Sequence, residues 1–217
     1  MRKILAPLFA LAFTLLAHVS LAAGPYYEGQ HYTRLANPVS AVRPNPNKIE
    51  VVEVFSYDCP HCMAFEPIIQ KWKAQLPDYV SFVPMQAQWD AYRTKLARAQ
   101  LTAKALKVSD KIHPAIYTAI QIPGQRPNVL NDDKIEQLFT SNGVDAAKFE
   151  KTFHAFGIDS QLKQYKEKIA AYGVNSTPQL IVNGEYVISA TREIDHQAML
   201  DIADYLVGQI RAERGFE

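Results

Sequence analysis

The sequence predicts an α/β fold: a mixed sheet with helices on both faces, interrupted by a mainly helical insertion. Three observations carry this. Past a leader, the chain opens with strand, helix and strand; a long stretch of helical periodicity follows; and the chain closes with a helix, a two-stranded hairpin and a last helix.

The first 22 residues read as an export signal. Arg2 and Lys3 precede an apolar stretch from Ile4 to Ala17, and Ser20-Leu21-Ala22 supplies small residues for cleavage after Ala22. That stretch is short for a bilayer crossing. Residues 23–85 are expected to form the first part of the sheet domain, 86–156 the helical insertion and 157–217 the second part.

In the first part, Tyr27 to Leu35 is expected as an initial strand. Pro38, Pro44 and Pro46 with Asn45 and Asn47 then mark an irregular linker. The run IEVVEVFS, Ile49 to Ser56, is mostly apolar, as a central strand buried on both faces requires, and Glu53 interrupts it. Phe65, Ile68, Ile69, Trp72 and Leu76 recur at helical spacing up to Leu76-Pro77-Asp78. Pro67 is expected to kink that helix, because its ring crowds the Met63 carbonyl. Tyr79 to Met85 is the next strand.

In the insertion, Tyr92, Leu96, Ala99, Ala103 and Leu106 mark one helix and Ile112 to Ile120 a shorter one. Pro123-Gly124 is a turn before helices over Asp132 to Thr140 and Asp145 to Phe156. In the second part, Asp159 opens a helix with Leu162, Tyr165, Ile169 and Tyr172 on one stripe and Gly173 past its end. Gln179 to Ser189 reads as two strands joined by a two-residue turn at Asn183-Gly184, and Asp195 caps a helix running to about Arg211.

The 217 residues carry 23 Lys plus Arg and 22 Asp plus Glu; without Arg2 and Lys3 the balance is 21 to 22. So even a balance gives no reason to expect nucleic acid as partner. The chain has two cysteines, Cys59 and Cys62, in YDCPHCMAF directly after the central strand. Zinc in a structural site wants four ligands, and His31, His113, His154 and His196 form no second pair of ligand spacing. A static crosslink is compatible with export but closes too small a loop to constrain the unfolded chain much.

The third reading is a redox centre that needs no cofactor beyond its own disulfide. A helix beginning at Pro60 aims unsatisfied N–H groups at the Cys59 sulfur and favours its thiolate. Proline suits a first helical turn, and a proton on or shared by His61 adds to the effect. Cys62, one turn on, faces inward. Cys59 is then the exposed nucleophile and Cys62 the resolving thiol, and a stabilised thiolate at Cys59 makes the oxidised pair a disulfide donor.

Three features together resemble the DsbA family of bacterial periplasmic thiol:disulfide oxidoreductases: VVEVFSYDCPHCMAF from Val51 to Phe65, GVNSTPQLIVNGEYVI from Gly173 to Ile188, and the spacing of over a hundred residues between them, which has room for a helical domain. The resemblance implies a thioredoxin-like fold interrupted by a helical insertion domain. It implies that Cys59 attacks, that Cys62 is its buried partner, and that Pro60 and His61 tune the pair. Pro178 resembles the cis-proline beside the disulfide, with the Thr177 backbone pairing to an extended client; Glu53 resembles a buried acid that relays a proton to or from Cys62. It further implies the periplasm of a Gram-negative bacterium, a monomer, clients among newly exported or unfolded proteins with free thiols, and a membrane quinone reductase of the DsbB type as reoxidant. Where several members carry valine, this chain has Thr177. That residue raises an isomerase or reductase as one alternative; a peptide-binding chaperone module with an incidental disulfide is another.

Overall fold

The computed structural model describes residues 25–42, 44–121 and 128–215; the leader and the Pro123-Gly124 turn expected from the sequence lie outside them. The largely apolar run forms β2 (Ile49–Phe55), every residue of which is buried, Glu50 and Glu53 included. It lies between β3 (Val80–Gln86), its parallel neighbour, and β4 (Gln179–Val182), its antiparallel one. Next come β5 (Tyr186–Ser189) and the short β1 (Thr33–Arg34), giving the order β1-β5-β4-β2-β3. Burial on both faces is what a strand without alternation demands.

On one face Ile49 and Val51 pack with Phe65 and Ile69 of α1 (Pro60–Lys73) and with Met199, Ile202 and Leu206 of α7 (His196–Arg214). On the other, Val52 and Val54 meet Leu162, Tyr165 and Ile169 of α6 (Phe156–Ala171), joined by Ala97 and Leu101 of α2 (Ala91–Ala105). Each large aliphatic or aromatic side chain so buried contributes about 1.5–3 kcal/mol. A third cluster lies in the insertion. Leu96 of α2, Ile112 and Ile116 of α3 (Ser109–Ile120), Phe139 of α4 (Asp132–Ser141) and Phe149 of α5 (Ala146–Phe153) surround it, and it reaches Phe55, Tyr57 and Cys62. The helices α2–α6 thus form an insertion between β3 and β4 of a thioredoxin-like core, and its apolar centre runs up to the cysteine pair.

Several expectations shift. The initial strand shrinks to Thr33–Arg34 because residues 27–32 turn back on themselves at Gly29: the His31 N–H bonds the Tyr27 carbonyl and the Gly29 N–H that of Tyr32. The hairpin loop has three residues, not two, since Val182 pairs with Tyr186. Asn183 and Gly184 both have positive φ, as expected for Asn-Gly, and the Glu185 N–H closes the turn on Val182, which leaves Glu185 as an extra residue. The loop is held there from both sides, by the Glu50 carbonyl accepting from Asn183 and by Leu35 and Val39 donating to Glu185 and Gly184.

The helix expected over Asp145 to Phe156 stops at Phe153, and α6 starts at Phe156 with Asp159 in its first turn, because Ala155 is extended between them. Helix α3 starts at Ser109, ahead of Ile112, and α1 continues through Pro67. Asp195 caps α7, which runs past Arg211 to Arg214 and stops at the left-handed Gly215.

Gly184 also sits against a neighbouring segment, where an added Cβ would overlap the Val39 carbonyl. Gly184→Ala is expected to destabilise the fold by about 2–4 kcal/mol, from the left-handed backbone and the overlap together. Denaturant unfolding measures it.

Candidate active site

Cys59 is the N-cap residue of α1: its backbone is extended, its carbonyl accepts the Met63 N–H at 3.1 Å, and Pro60 follows in the first turn. Such a terminus leaves backbone donors without helical partners, and here the N–H groups of His61 and Cys62 turn toward the Cys59 sulfur. Cys62, one turn along, is fully buried, with the Ser56 N–H 3.4 Å from its sulfur. The two sulfurs are not bonded to each other.

The environment drives the two thiols apart. A hydrogen bond from Cys62, with further ones from the Thr177 side chain and the two amides, outweighs partial burial and pushes Cys59 down to about 5. Burial, then the bond and charge of Cys59, push Cys62 far up. One contact opposes ionisation at Cys59: its thiol donates to the Thr177 carbonyl at 3.3 Å, and a thiolate gives that bond up. It is one acceptor against several donors.

The Thr177–Pro178 peptide is cis and lies beside this sulfur, with Pro178 buried. His61 is exposed; it lines a pocket of about 400 Å³ with Thr177, Pro178, Thr191, Ile194 and His196. Glu53 is 3% exposed, on the β2 face shared with Ile49 and Val51, under α1. Burial first, and then the charge of Glu66, hold its carboxyl well above the usual range, with Lys73 pulling the other way. The structure therefore gathers Glu53, Pro60, His61, Thr177 and Pro178 around Cys59 and Cys62.

Other residues hold the turn before α1, and sequence reasoning missed them. Gln121, which ends α3, donates from Nε2 to the carbonyls of Tyr57 (2.8 Å) and Cys59 (3.0 Å). Gln86, buried at the end of β3, accepts from the Tyr57 N–H and donates to Ser56 Oγ. Arg93 of α2 pairs with Asp58 at 2.6 Å. A fully buried glutamine closing an apolar strand is a faint sequence signal for Gln86; nothing local marks Gln121. Gln121→Ala is expected to cost about 1–3 kcal/mol, from the loss of its bond to the Tyr57 carbonyl and of the second donor to the Cys59 carbonyl, which keeps the Met63 N–H, and to move the Cys59 titration upward as the helix start loosens. Unfolding and thiolate absorbance against pH test both.

Among the described residues no group of three or more His, Cys, Asp or Glu is placed to hold a metal ion, and the redox chemistry belongs to the cysteine pair. A family model described as thioredoxin matches residues 45–202. The thiol:disulfide interchange protein DsbA of Pseudomonas syringae pv. tomato is 35% identical over 216 residues, 98% of this chain and 97% of that one. The chain belongs to the DsbA family. The DsbA of Pseudomonas aeruginosa is 33% identical over 93% of this chain and 94% of its own. A crystal structure of the P. aeruginosa protein superposes with a TM-score of 0.79 at 34% identity, covering 87% of this chain and 96% of that one. As a DsbA-family enzyme the protein is a thiol oxidant that donates its disulfide to newly exported proteins in the periplasm of a Gram-negative bacterium, and a membrane reoxidant restores it.

Proposed function

We propose that Cys59 is the sulfur attacked by clients and Cys62 the one that leaves, with Pro60 and His61 shaping the helix start, Thr177 and Pro178 bordering the client strand, and Glu53 exchanging the proton. The observation that carries this is the opposed setting of the two thiols, Cys59 pushed down to about 5 and Cys62 far up. A client thiolate attacks Cys59 Sγ, the Cys59–Cys62 bond breaks, and the Cys62 sulfur departs with the electron pair and takes a proton from Glu53. Cys62 is thereby quenched as a thiol. A second client thiolate then attacks the client sulfur of the mixed disulfide, forming the client disulfide and releasing Cys59 as a stable thiolate. Two electrons have passed to the enzyme, and a DsbB-type membrane quinone reductase removes them.

The Thr177 backbone next to Pro178 offers main-chain partners to an extended client strand, which selects for unfolded chains over folded ones. The enzyme works as a monomer without nucleic acid. Equilibration of the cysteine pair with glutathione buffers tests the direction of the chemistry. A strongly oxidising potential is expected, because the reduced form holds a stabilised anion. A potential in the reducing range would return the isomerase or reductase reading that Thr177 raises.

A further inference from the structure

Asp58 stands directly before Cys59, so a carboxylate sits one residue from the sulfur that the helix start surrounds with donors. It is an unfavourable neighbour for a thiolate. An anion there repels the charged sulfur, and a free carboxylate just ahead of a helix competes for the same terminal N–H groups that the sulfur uses. The insertion answers it with Arg93, in the first turn of α2. Arg93 Nη2 donates to Asp58 Oδ2 at 2.6 Å, and the Ser56 hydroxyl donates to Oδ1 at 2.5 Å, so both carboxylate oxygens are engaged.

Arg93 also contacts Asp90 through Nη1, but the two acids differ in how much they need it. Asp90 is the N-cap of α2: it accepts the Arg93 N–H at 2.7 Å and its side chain is 46% exposed, so the helix terminus and water already balance its charge. The Asp58 side chain is only 16% exposed, and among the described residues Arg93 is the cation paired with it. Arg93 keeps this place although its Nε is buried and has no hydrogen-bond partner among the described residues. The two carboxylates gripped by its fork hold it there, at the expense of that donor.

We infer that Arg93 is a positioning residue for disulfide exchange: it ties the Asp58 carboxylate to the insertion, cancels its charge beside Cys59, and leaves the start of α1 to the thiolate. The inference rests on the reading of Cys59 as the sulfur that clients attack. It divides the site between the two parts of the chain. The sheet domain supplies the sulfur and the helix start, and the insertion, 35 residues on, supplies the cation that lets a thiolate persist next to an acid.

Other titratable groups face the same place. His61 and Cys62 lie on α1 with the sulfur; Glu53 of β2 and Tyr117 of α3 face Cys62; His196 of α7 faces Cys59 and His61; and Tyr92 of α2 faces Asp58 and Arg93. All of them stay in the variants that follow, so a change between variants reports on the Asp58–Arg93 pair.

The test titrates the Cys59 thiolate of the mature chain by ultraviolet absorbance, in a Cys62→Ser background where one sulfur can ionise, and equilibrates the intact cysteine pair with glutathione. Arg93→Gln should raise the midpoint by about half to one pH unit and weaken the pair as an oxidant by about three- to tenfold. Adding Asp58→Asn to Arg93→Gln should return both readings to near the parent, because the charge that needed cancelling is gone. A helix start that had merely loosened would not be repaired in this way. The gap between Arg93→Gln and the parent should also narrow at high salt. Asp58→Asn alone, with the guanidinium left facing a neutral amide, should titrate below the parent, and it keeps the inference exposed if Arg93→Gln does not fold. An unmoved midpoint in Arg93→Gln, a rise that Asp58→Asn does not repair, or Asp58→Asn alone titrating at or above the parent would each overturn it. A parent Cys59 that ionises like an ordinary cysteine would instead bring down the reading of Cys59 itself, whereas a low parent midpoint untouched by Arg93→Gln removes the role of Arg93 alone.

Discussion

Replacing Cys59 with serine is expected to reduce disulfide transfer to the uncatalysed level, while replacing Cys62 with serine is expected to convert the enzyme into a trap. The asymmetry follows from position. Cys59 caps α1 at the edge of the pocket formed by His61, Thr177 and Pro178, and its sulfur is the one a client can reach. Cys62 is fully buried beneath it. A serine at 59 leaves no accessible sulfur to attack, and the buried thiol cannot substitute for it. A serine at 62 leaves the exposed thiolate intact; it takes up an activated disulfide and forms a mixed disulfide that no internal thiol can resolve. Oxidation of a dithiol peptide measures the first variant, and mass analysis of acid-quenched mixtures the second. Peptide oxidation by the Cys59 variant at the parent rate would refute the assignment of the two sulfurs.

How far the sequence disclosed this site depends on whether each feature is local. The Cys-Pro-His-Cys run after an apolar strand is local: Pro60 and the helical spacing of Phe65 and Ile69 place a helix start at the sulfur, and the structure has it there. Glu53 is legible because a carboxylate inside a buried strand is conspicuous, and Asn183-Gly184 because two positive φ angles favour those residues. The third loop residue was not legible, since it depends on Glu50, Leu35 and Val39 holding the loop from elsewhere in the chain. The break at His154 and Ala155 was hidden for a related reason. Phe149 and Phe153 continue an apolar stripe toward Ile158 and Leu162, yet the first pair packs into the insertion and the second onto the sheet. Gln121 and His113 lie further out of reach. Their partners Tyr57, Cys59 and Glu66 are dozens of residues away, and only the docking of α3 against the turn before α1 brings them together.

The reduced and oxidised forms are expected to respond differently to pH, and the difference reports on Cys59 directly. Its folded value of about 5 lies below the 9.0 of an unperturbed thiol, so between those limits the unfolded reduced chain holds a proton that the folded one lacks. Stability of the reduced form therefore rises with pH through this window and is lost as pH falls through the folded value. One proton sets the slope at about 1.4 kcal/mol per pH unit. Because the sulfur is partly open to water, solvent screening narrows the window from its acid end without changing that slope. Cys62, pushed the other way, enters only above the window, where an unfolded thiol ionises and the folded one does not. Glu53 is raised in this dithiol form, so its folded state keeps a proton that the unfolded chain loses and works against stability as pH rises. To the extent that the carboxyl is equally buried in the disulfide form, its contribution cancels from the difference between them. Urea unfolding of both forms from pH 5 to pH 9 should give curves that diverge steadily, the reduced protein gaining on the oxidised. By the thermodynamic cycle linking folding to thiol exchange, that gain is the oxidising power handed to clients. Parallel curves would mean that Cys59 is no better stabilised as a thiolate than a cysteine in an unfolded chain, and the enzyme would then have no thermodynamic reason to give its disulfide away.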